Sequence, residues 1–263
     1  MISDHLPNIR GLILDMDGVL WRDNEPIGDL PAIFQSIQDQ GLKVILATNN
    51  GTKTVDEFFS KIRRFGVTLE DWQVISAAQA TAIFLAEKYP NGCTVYAVGT
   101  PSLIKILEDA GLTVVADRSE KVQVVVAAMD TGLTYEKIKD AELLVRSGCE
   151  FIGTNPDVTY PSPEGLIPGA GTVIGAIEIA SGQKATIIGK PEPLLYQMAL
   201  RRSGLKPKET IGIGDRLETD ILGAQAAGIY SAFVLTGAST LEQAHQMTTP
   251  PDLIAKSLSE LIF

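Results

Sequence analysis

Short runs of branched apolar residues alternate with stretches of helical spacing along the whole chain. Residues 9–14 and 43–47 read as buried strands, and residues 30–40 between them as a helix that stops at Gly41. Residues 54–65 read as a second helix. Thr54 is its cap, Glu57 follows three residues on, and Gly66 ends it. The middle of the chain repeats this grammar, with strands at 94–98 and 122–127 and helices at 101–110 and 135–146. The first of those helices opens on Pro101 and closes at Gly111. Near the end, strands at 210–213 and 231–235 flank a helix at 218–227. This order predicts α/β architecture, with parallel sheets, helices on both faces and right-handed crossovers. One segment breaks the pattern: residues 153–171 are rich in Pro and Gly and predict a long loop. Seams between domains are expected near residues 75–79 and 182–186.

Composition narrows the classes of function. Of 263 residues, 45% are hydrophobic and 21% charged, which argues against disorder. The net charge of -10, with no basic run, argues against a general nucleic-acid partner. An anionic substrate would need a local site and a cation. Cys93 and Cys149 form no zinc-site pattern and no disulfide framework. The opening MISDHLPNIR lacks the apolar core of a secretory signal. Apolar stretches such as 124–129 are too short to span a bilayer. Asn50-Gly51-Thr52 matches a glycosylation acceptor, which carries no weight without a signal peptide. A cytoplasmic location, with no membrane partner, is the expectation.

Four segments carry candidate chemistry, each at the C-terminal end of an expected strand, where open parallel sheets bind ligands. Asp15-Met16-Asp17-Gly18 ends an apolar strand with two acids one residue apart. That pair suits a hard cation and nucleophilic or acid–base work, although Asp also ends strands as a turn residue. Thr48-Asn49-Asn50-Gly51 offers a hydroxyl, amides and backbone N–H groups to phosphate oxygens, or is a plain turn. Lys190, in Gly189-Lys190-Pro191, reads alone as a solvated lysine and in company as a cation for phosphate. Gly212-Ile213-Gly214-Asp215 brings small residues and an acid, and Asp220 follows in the first turns of a helix, where the dipole also favours an acid. Taken together, acids, Thr/Asn, Lys and acid compose one site for a phosphate and a cation. A phosphate monoester repels nucleophiles until its charge is neutralised, and a fixed carboxylate then attacks in line.

These residues resemble the haloacid dehalogenase superfamily. The motifs are Asp15-Met16-Asp17-Gly18-Val19-Leu20, Thr48-Asn49-Asn50, Lys190-Pro191, and Gly214-Asp215 with Asp220. The stretches 76–82 and 154–157 are similar to the subfamily of NagD-type nucleotide phosphatases, p-nitrophenyl phosphatases, phosphoglycolate phosphatases and pyridoxal phosphate phosphatases. The resemblance implies a Rossmann-like parallel-sheet core, residues 1–78 and 184–263, with a large inserted α/β cap, residues 79–183. It implies Asp15 as nucleophile and Asp17 as the acid that protonates the leaving oxygen and then activates water. Thr48, Asn49 and Asn50 would hold phosphoryl oxygens, and Lys190 would stabilise charge. Magnesium would be held by Asp15, the Asp17 carbonyl and Asp215, with Asp220 behind them. The partner implied is a small phosphorylated metabolite of sugar, nucleotide or glycolate type, and the cap type implies a homodimer. A phosphomutase and a non-catalytic phosphoryl acceptor are the competing readings. The strands expected in the cap disfavour the mutase, and Asp17 disfavours the acceptor. In the cap, Asp157 and Tyr160 are candidate contacts for the leaving group, with a turn acid as the plainer reading of Asp157. Trp21 reads as core packing or as lining the entrance to the site. His5 and His245 stand isolated, and the cysteines read as small buried residues.

Overall fold

The computed structural model describes residues 1–118, 121–162 and 164–263, apart from the side chain of residue 3. The chain divides into two compact units. One comprises Met1–Thr48, Val55–Ile75 and Lys190–Phe263, and the other Asn49–Thr54 and Ser76–Gly189.

The first unit is built on a sheet whose strands lie in the order Leu253–Ala255, Tyr230–Val234, Thr210–Gly214, Gly11–Leu14, Lys43–Thr48 and Val74–Ser76. Every residue of the central strand Gly11–Leu14 is buried, as a strand covered on both faces requires. Its parallel register sets Leu14 beside both Ile213 and Leu46. The three strands therefore release their next residues along one sheet edge. The helix Leu30–Asp39 starts where Asp29 accepts the Ala32 N–H and buries Leu30, Ile33 and Ile37 at helical spacing. Helix Val55–Arg64 turns Phe58, Phe59 and Ile62 into the same core.

The second unit has its own parallel sheet, ordered Thr186–Ile187, Glu150–Gly153, Val124–Ala127, Thr94–Val98 and Thr113–Val115. Its helix Ala77–Lys88 opens on a capping box of Ser76 and Gln79. Helix Tyr135–Arg146 begins at Thr134, whose side chain accepts the Lys137 N–H. Apolar residues from these strands and from helix Ala170–Ser181 form a separate core.

The structure corrects two expectations. The loop expected at 153–171 contains an antiparallel pair, Thr159–Ser162 with Gly165–Pro168, and helix Ala170–Ser181 follows at once. Pro161 and Pro168 mask these strands in the sequence, because proline is unusual in a ladder except at an edge. Residue 163 of that segment lies outside the described residues. The helix expected at 218–227 opens instead as a wide π-helical turn, Leu217–Ile221, before α-helix Leu222–Ala226. The Ile221 N–H reaches back five residues to the Arg216 carbonyl. This extra width sets the position of Asp220.

Candidate active site

Asp15 leaves the central strand with its N–H donated to the Ile213 carbonyl at 2.9 Å. One strand away, Asp215 follows Gly214 at the same edge. Asp220 returns from the π turn, its Oδ2 accepting the N–H groups of Asp215 at 3.2 Å and Arg216 at 3.0 Å. Carboxylate oxygens of Asp15, Asp215 and Asp220 lie within 4.8 Å of one another. Three glycines make this crowding possible. A Cβ at Gly214 would lie 2.1 Å from the Asp220 Cβ, and one at Gly237 would lie 1.8 Å from the Asp215 Oδ2. At Gly18, with φ +89°, a Cβ would lie 2.5 Å from the Asp215 Cγ, in a conformation that already favours glycine.

Lys190 is buried, not solvated, with 2% of its surface exposed. Its ammonium donates to Asp15 Oδ1 and Asp220 Oδ1, both at 2.6 Å, and to the Ala47 carbonyl at 3.0 Å. Burial works against its charge, but the Asp15 and Asp220 carboxylates prevail and hold its pKa well above the ordinary lysine value. Lys190 pairs directly with two of the three carboxylates, and burial dominates what charge costs Asp15 and Asp215. Burial first, with repulsion from Asp220 and Asp215 added and attraction to Lys190 opposing, raises the Asp15 carboxyl well above its usual range. Burial and then Asp220 push Asp215 up to about 6, against the Ala238 N–H, Arg216 and Lys190. That N–H donates to Asp215 Oδ2 at 2.7 Å. Beneath the cluster, the buried Tyr196 hydroxyl donates to the Asp220 carbonyl at 3.0 Å. Oxygen ligands carrying surplus negative charge at close range are the donor set a hard divalent cation requires, so the residues fit such an ion.

Asp17 stands apart from this cluster. Its carboxylate is 40% exposed. Oδ1 accepts the Trp21 indole N–H at 2.7 Å and lies 3.9 Å from the Lys61 ammonium. Trp21 itself is fully buried, so it packs the core and also holds Asp17. Lys61 had no part in the sequence reading. Its signal was available, since it lies between Phe58 and Ile62 on the buried face of an amphipathic helix, where a lysine needs a reason.

Thr48 ends its strand with 3% of its surface exposed. Asn49 and Asn50 belong to the second unit. Asn49 Nδ2 donates to Asp157 at 3.3 Å and the Asn49 carbonyl accepts from Asn155 Nδ2 at 2.9 Å. Asn50 Nδ2 donates to the Tyr160 hydroxyl at 3.0 Å. Asp157 and Tyr160, read in the sequence as contacts for a leaving group, are thus engaged with the two asparagines. Cys93 is buried and Cys149 partly so, and both are free thiols.

Family models described as haloacid dehalogenase-like hydrolase and HAD-hydrolase-like match residues 12–113 and 187–261. An acid sugar phosphatase of Staphylococcus saprophyticus is 34% identical over 257 residues, 98% of each chain. One from Staphylococcus aureus is 35% identical over 253 residues, 96% of each chain. Among solved structures, a 4-nitrophenylphosphatase from Thermotoga maritima matches with a TM-score of 0.91 and 34% identity, covering 98% of this chain and 97% of its own. NagD from Escherichia coli K-12 matches with a TM-score of 0.88 and 32% identity, covering 96% and 98%. Matches of this extent, on a sheet edge carrying these acids and this lysine, settle the lineage: the chain belongs to the haloacid dehalogenase superfamily of hydrolases, in the branch of NagD and the p-nitrophenyl phosphatases, and is a phosphatase of that superfamily.

Proposed function

We propose that this phosphatase hydrolyses small phosphate monoesters with magnesium, through a phosphoryl group carried on Asp15. The buried cluster of three carboxylates around Lys190 carries the reading. Asp15 attacks phosphorus, and the bond from phosphorus to the ester oxygen breaks. The departing oxygen takes the electron pair and a proton from Asp17. Asp17 then removes a proton from water, which attacks the aspartyl-phosphate. Inorganic phosphate leaves and Asp15 is regenerated. Asp15, Asp215 and the Asp17 carbonyl would hold the magnesium ion, which would supply neutralisation of phosphoryl charge. Asp220 acts behind these ligands, holding Lys190 and the Asp215 backbone N–H. Lys190 steadies the charge on Asp15 and on the phosphoryl group. Thr48 supplies its hydroxyl to a phosphoryl oxygen. The resemblance extends that task to Asn49 and Asn50.

The same proposal takes residues 1–78 and 184–263 as the catalytic core and 79–183 as the cap. Substrates of sugar, nucleotide and glycolate type are the candidates. Sugar phosphates come first, because relatives similar over nearly the whole chain are acid sugar phosphatases. Release of phosphate from p-nitrophenyl phosphate, with and without magnesium, tests the reaction. A panel of sugar, nucleotide, glycolate, glycerol and pyridoxal phosphates then tests the substrate class. If no member is hydrolysed with any divalent metal, the reading fails. If nucleotides or glycolate phosphate outrun every sugar phosphate in kcat/KM, the order of substrates is wrong.

A further inference from the structure

The chain doubles back immediately after Asp17. The N–H groups of Val19, Leu20 and Trp21 converge on the Met16 carbonyl at 3.3, 2.9 and 3.4 Å, and the Gly18 N–H donates to the Trp21 carbonyl at 2.8 Å. This tight turn sets Trp21 beside Asp17, four residues away. The indole is fully buried. Phe65 packs against it at 6.0 Å between ring centroids, tilted 40°. The Lys61 ammonium sits 4.3 Å from the Trp21 ring centroid. The ring is therefore fixed in position, and so is the direction of its N–H.

That N–H points at one oxygen. Asp17 Oδ1 accepts it at 2.7 Å, and the Lys61 ammonium stands 3.9 Å from the same atom. Among the described residues, the Asp17 Oδ2 accepts no hydrogen bond from the protein. A carboxyl group that hands over a proton must keep one oxygen for that task and hold it still. An exposed aspartate has rotamer freedom to lose, and its carboxylate turns readily about its last bond. A buried donor on Oδ1 removes that freedom without covering Oδ2.

We propose that Trp21 and Lys61 are positioning residues for Asp17. They clamp Oδ1 so that Oδ2 is presented to the ester oxygen of the substrate. The inference rests on the acid role proposed for Asp17 and adds two residues that act only through it. Neither residue is a member of the carboxylate cluster of Asp15, Asp215 and Asp220. Their contribution falls on the step that needs a proton, the departure of the leaving group, and it scales with how badly that group needs one. A misplacement of about 1 Å in such a group costs up to roughly 100-fold.

The readout is kcat/KM, which reports the steps through departure of the leaving group, on two substrates. Glycerol phosphate expels an alkoxide that needs the proton. p-Nitrophenyl phosphate expels a stabilised phenolate that does not. Trp21→Phe keeps an aromatic ring beside Phe65 and removes the N–H. Lys61→Met keeps the stem on the ring and removes the charge. Each is expected to lower kcat/KM on glycerol phosphate by roughly 10-fold or more, and on p-nitrophenyl phosphate by less than about 3-fold. Lys61→Arg should restore the ratio of the two substrates towards wild type. Asp17→Asn is the control, with the same pattern and a larger size. If Asp17→Asn shifts the ratio while Trp21→Phe and Lys61→Met leave it at the wild-type value, the positioning inference is overturned and the acid role stands. If both variants depress the two substrates equally, they support the fold alone and the inference is overturned. An unchanged ratio in Asp17→Asn removes the acid role and this inference with it. Should Trp21→Phe fail to fold, the Lys61 pair decides.

Discussion

The two units wind the same kind of parallel sheet and finish their strands differently. In the second unit, the segment after strand Val124–Ala127 reaches Asp130, a buried acid near a strand end. Its carboxylate meets the Lys137 ammonium at 2.7 Å and the Gly132 N–H at 2.9 Å, so its one charge is met by one cation. In the first unit, Asp15 and Asp220 share the Lys190 ammonium, and Asp215 stands beside them, drawn by Arg216 and Lys190. Fold does not separate these places, and neither does the presence of an acid at a strand end. The charge balance does. A matched pair is finished structure, whereas an unmatched cluster holds groups whose charge is costly until a cation or substrate arrives.

The comparison breaks most readily at Asp15. Asp15→Asn should lower turnover of p-nitrophenyl phosphate by at least roughly 10⁴-fold, with an unchanged circular dichroism spectrum. Activity near wild type would leave the cluster without a nucleophile. Lys190→Met comes next. It should lower kcat/KM by roughly 10²–10³-fold, and in chelator at pH 8 it should lose about 3–5 kcal/mol of stability in denaturant melts, because the carboxylates lose their buried cation. A loss no larger than that of an exposed lysine would mean the cluster is balanced in some other way.

Asp215 sharpens the comparison through pH. Its folded-state pKa is pushed up to about 6, above the ordinary value of 3.8. The folded state therefore binds this proton more tightly than the unfolded chain. Without metal, its contribution to stability is fully present below the ordinary value and is lost as pH rises through about 6. Metal-free Asp215→Asn should thus match wild type near pH 4 and exceed it above about pH 7, by on the order of 2 kcal/mol. Magnesium should raise the melting temperature of wild type more at pH 7.5 than at pH 5, and should shift Asp215→Asn little. A stability difference independent of pH would remove the charge argument. The smallest effect is expected at Asp130. Asp130→Asn keeps an acceptor for the Gly132 N–H and should change kcat/KM by less than about 2-fold, with about 1 kcal/mol lost in stability. A large loss of activity there would erase the contrast between the units.

Parts of this contrast are legible in the residue order alone. Asp15 and Asp215 stand out because an apolar strand that ends in an acid is a visible break in pattern. Helix Tyr135–Arg146 is legible to the residue from its helical spacing. The paired strands Thr159–Ser162 and Gly165–Pro168 are hidden, because their pairing lies across the turn and their prolines argue locally for a loop. The π turn at Leu217–Ile221 is hidden too, since its sequence carries ordinary helical spacing. Lys61 is legible only as a lysine on a buried helix face; what it meets, Asp17 and Trp21, lies far back along the chain.

By itself the sequence determined which groups stand at the strand ends and in what order: acids after the first strand, Thr48 after the next, then Lys190, then Asp215. Periodicity fixes strands, and strands fix where the chain must turn. The tertiary structure alone decided how those charges add up. Lys190 joins Asp15 across 175 residues and Asp220 across 30. Whether a lysine is a solvated side chain or a buried cation beside three carboxylates depends on distance and on exclusion of water, and neither is written in local order.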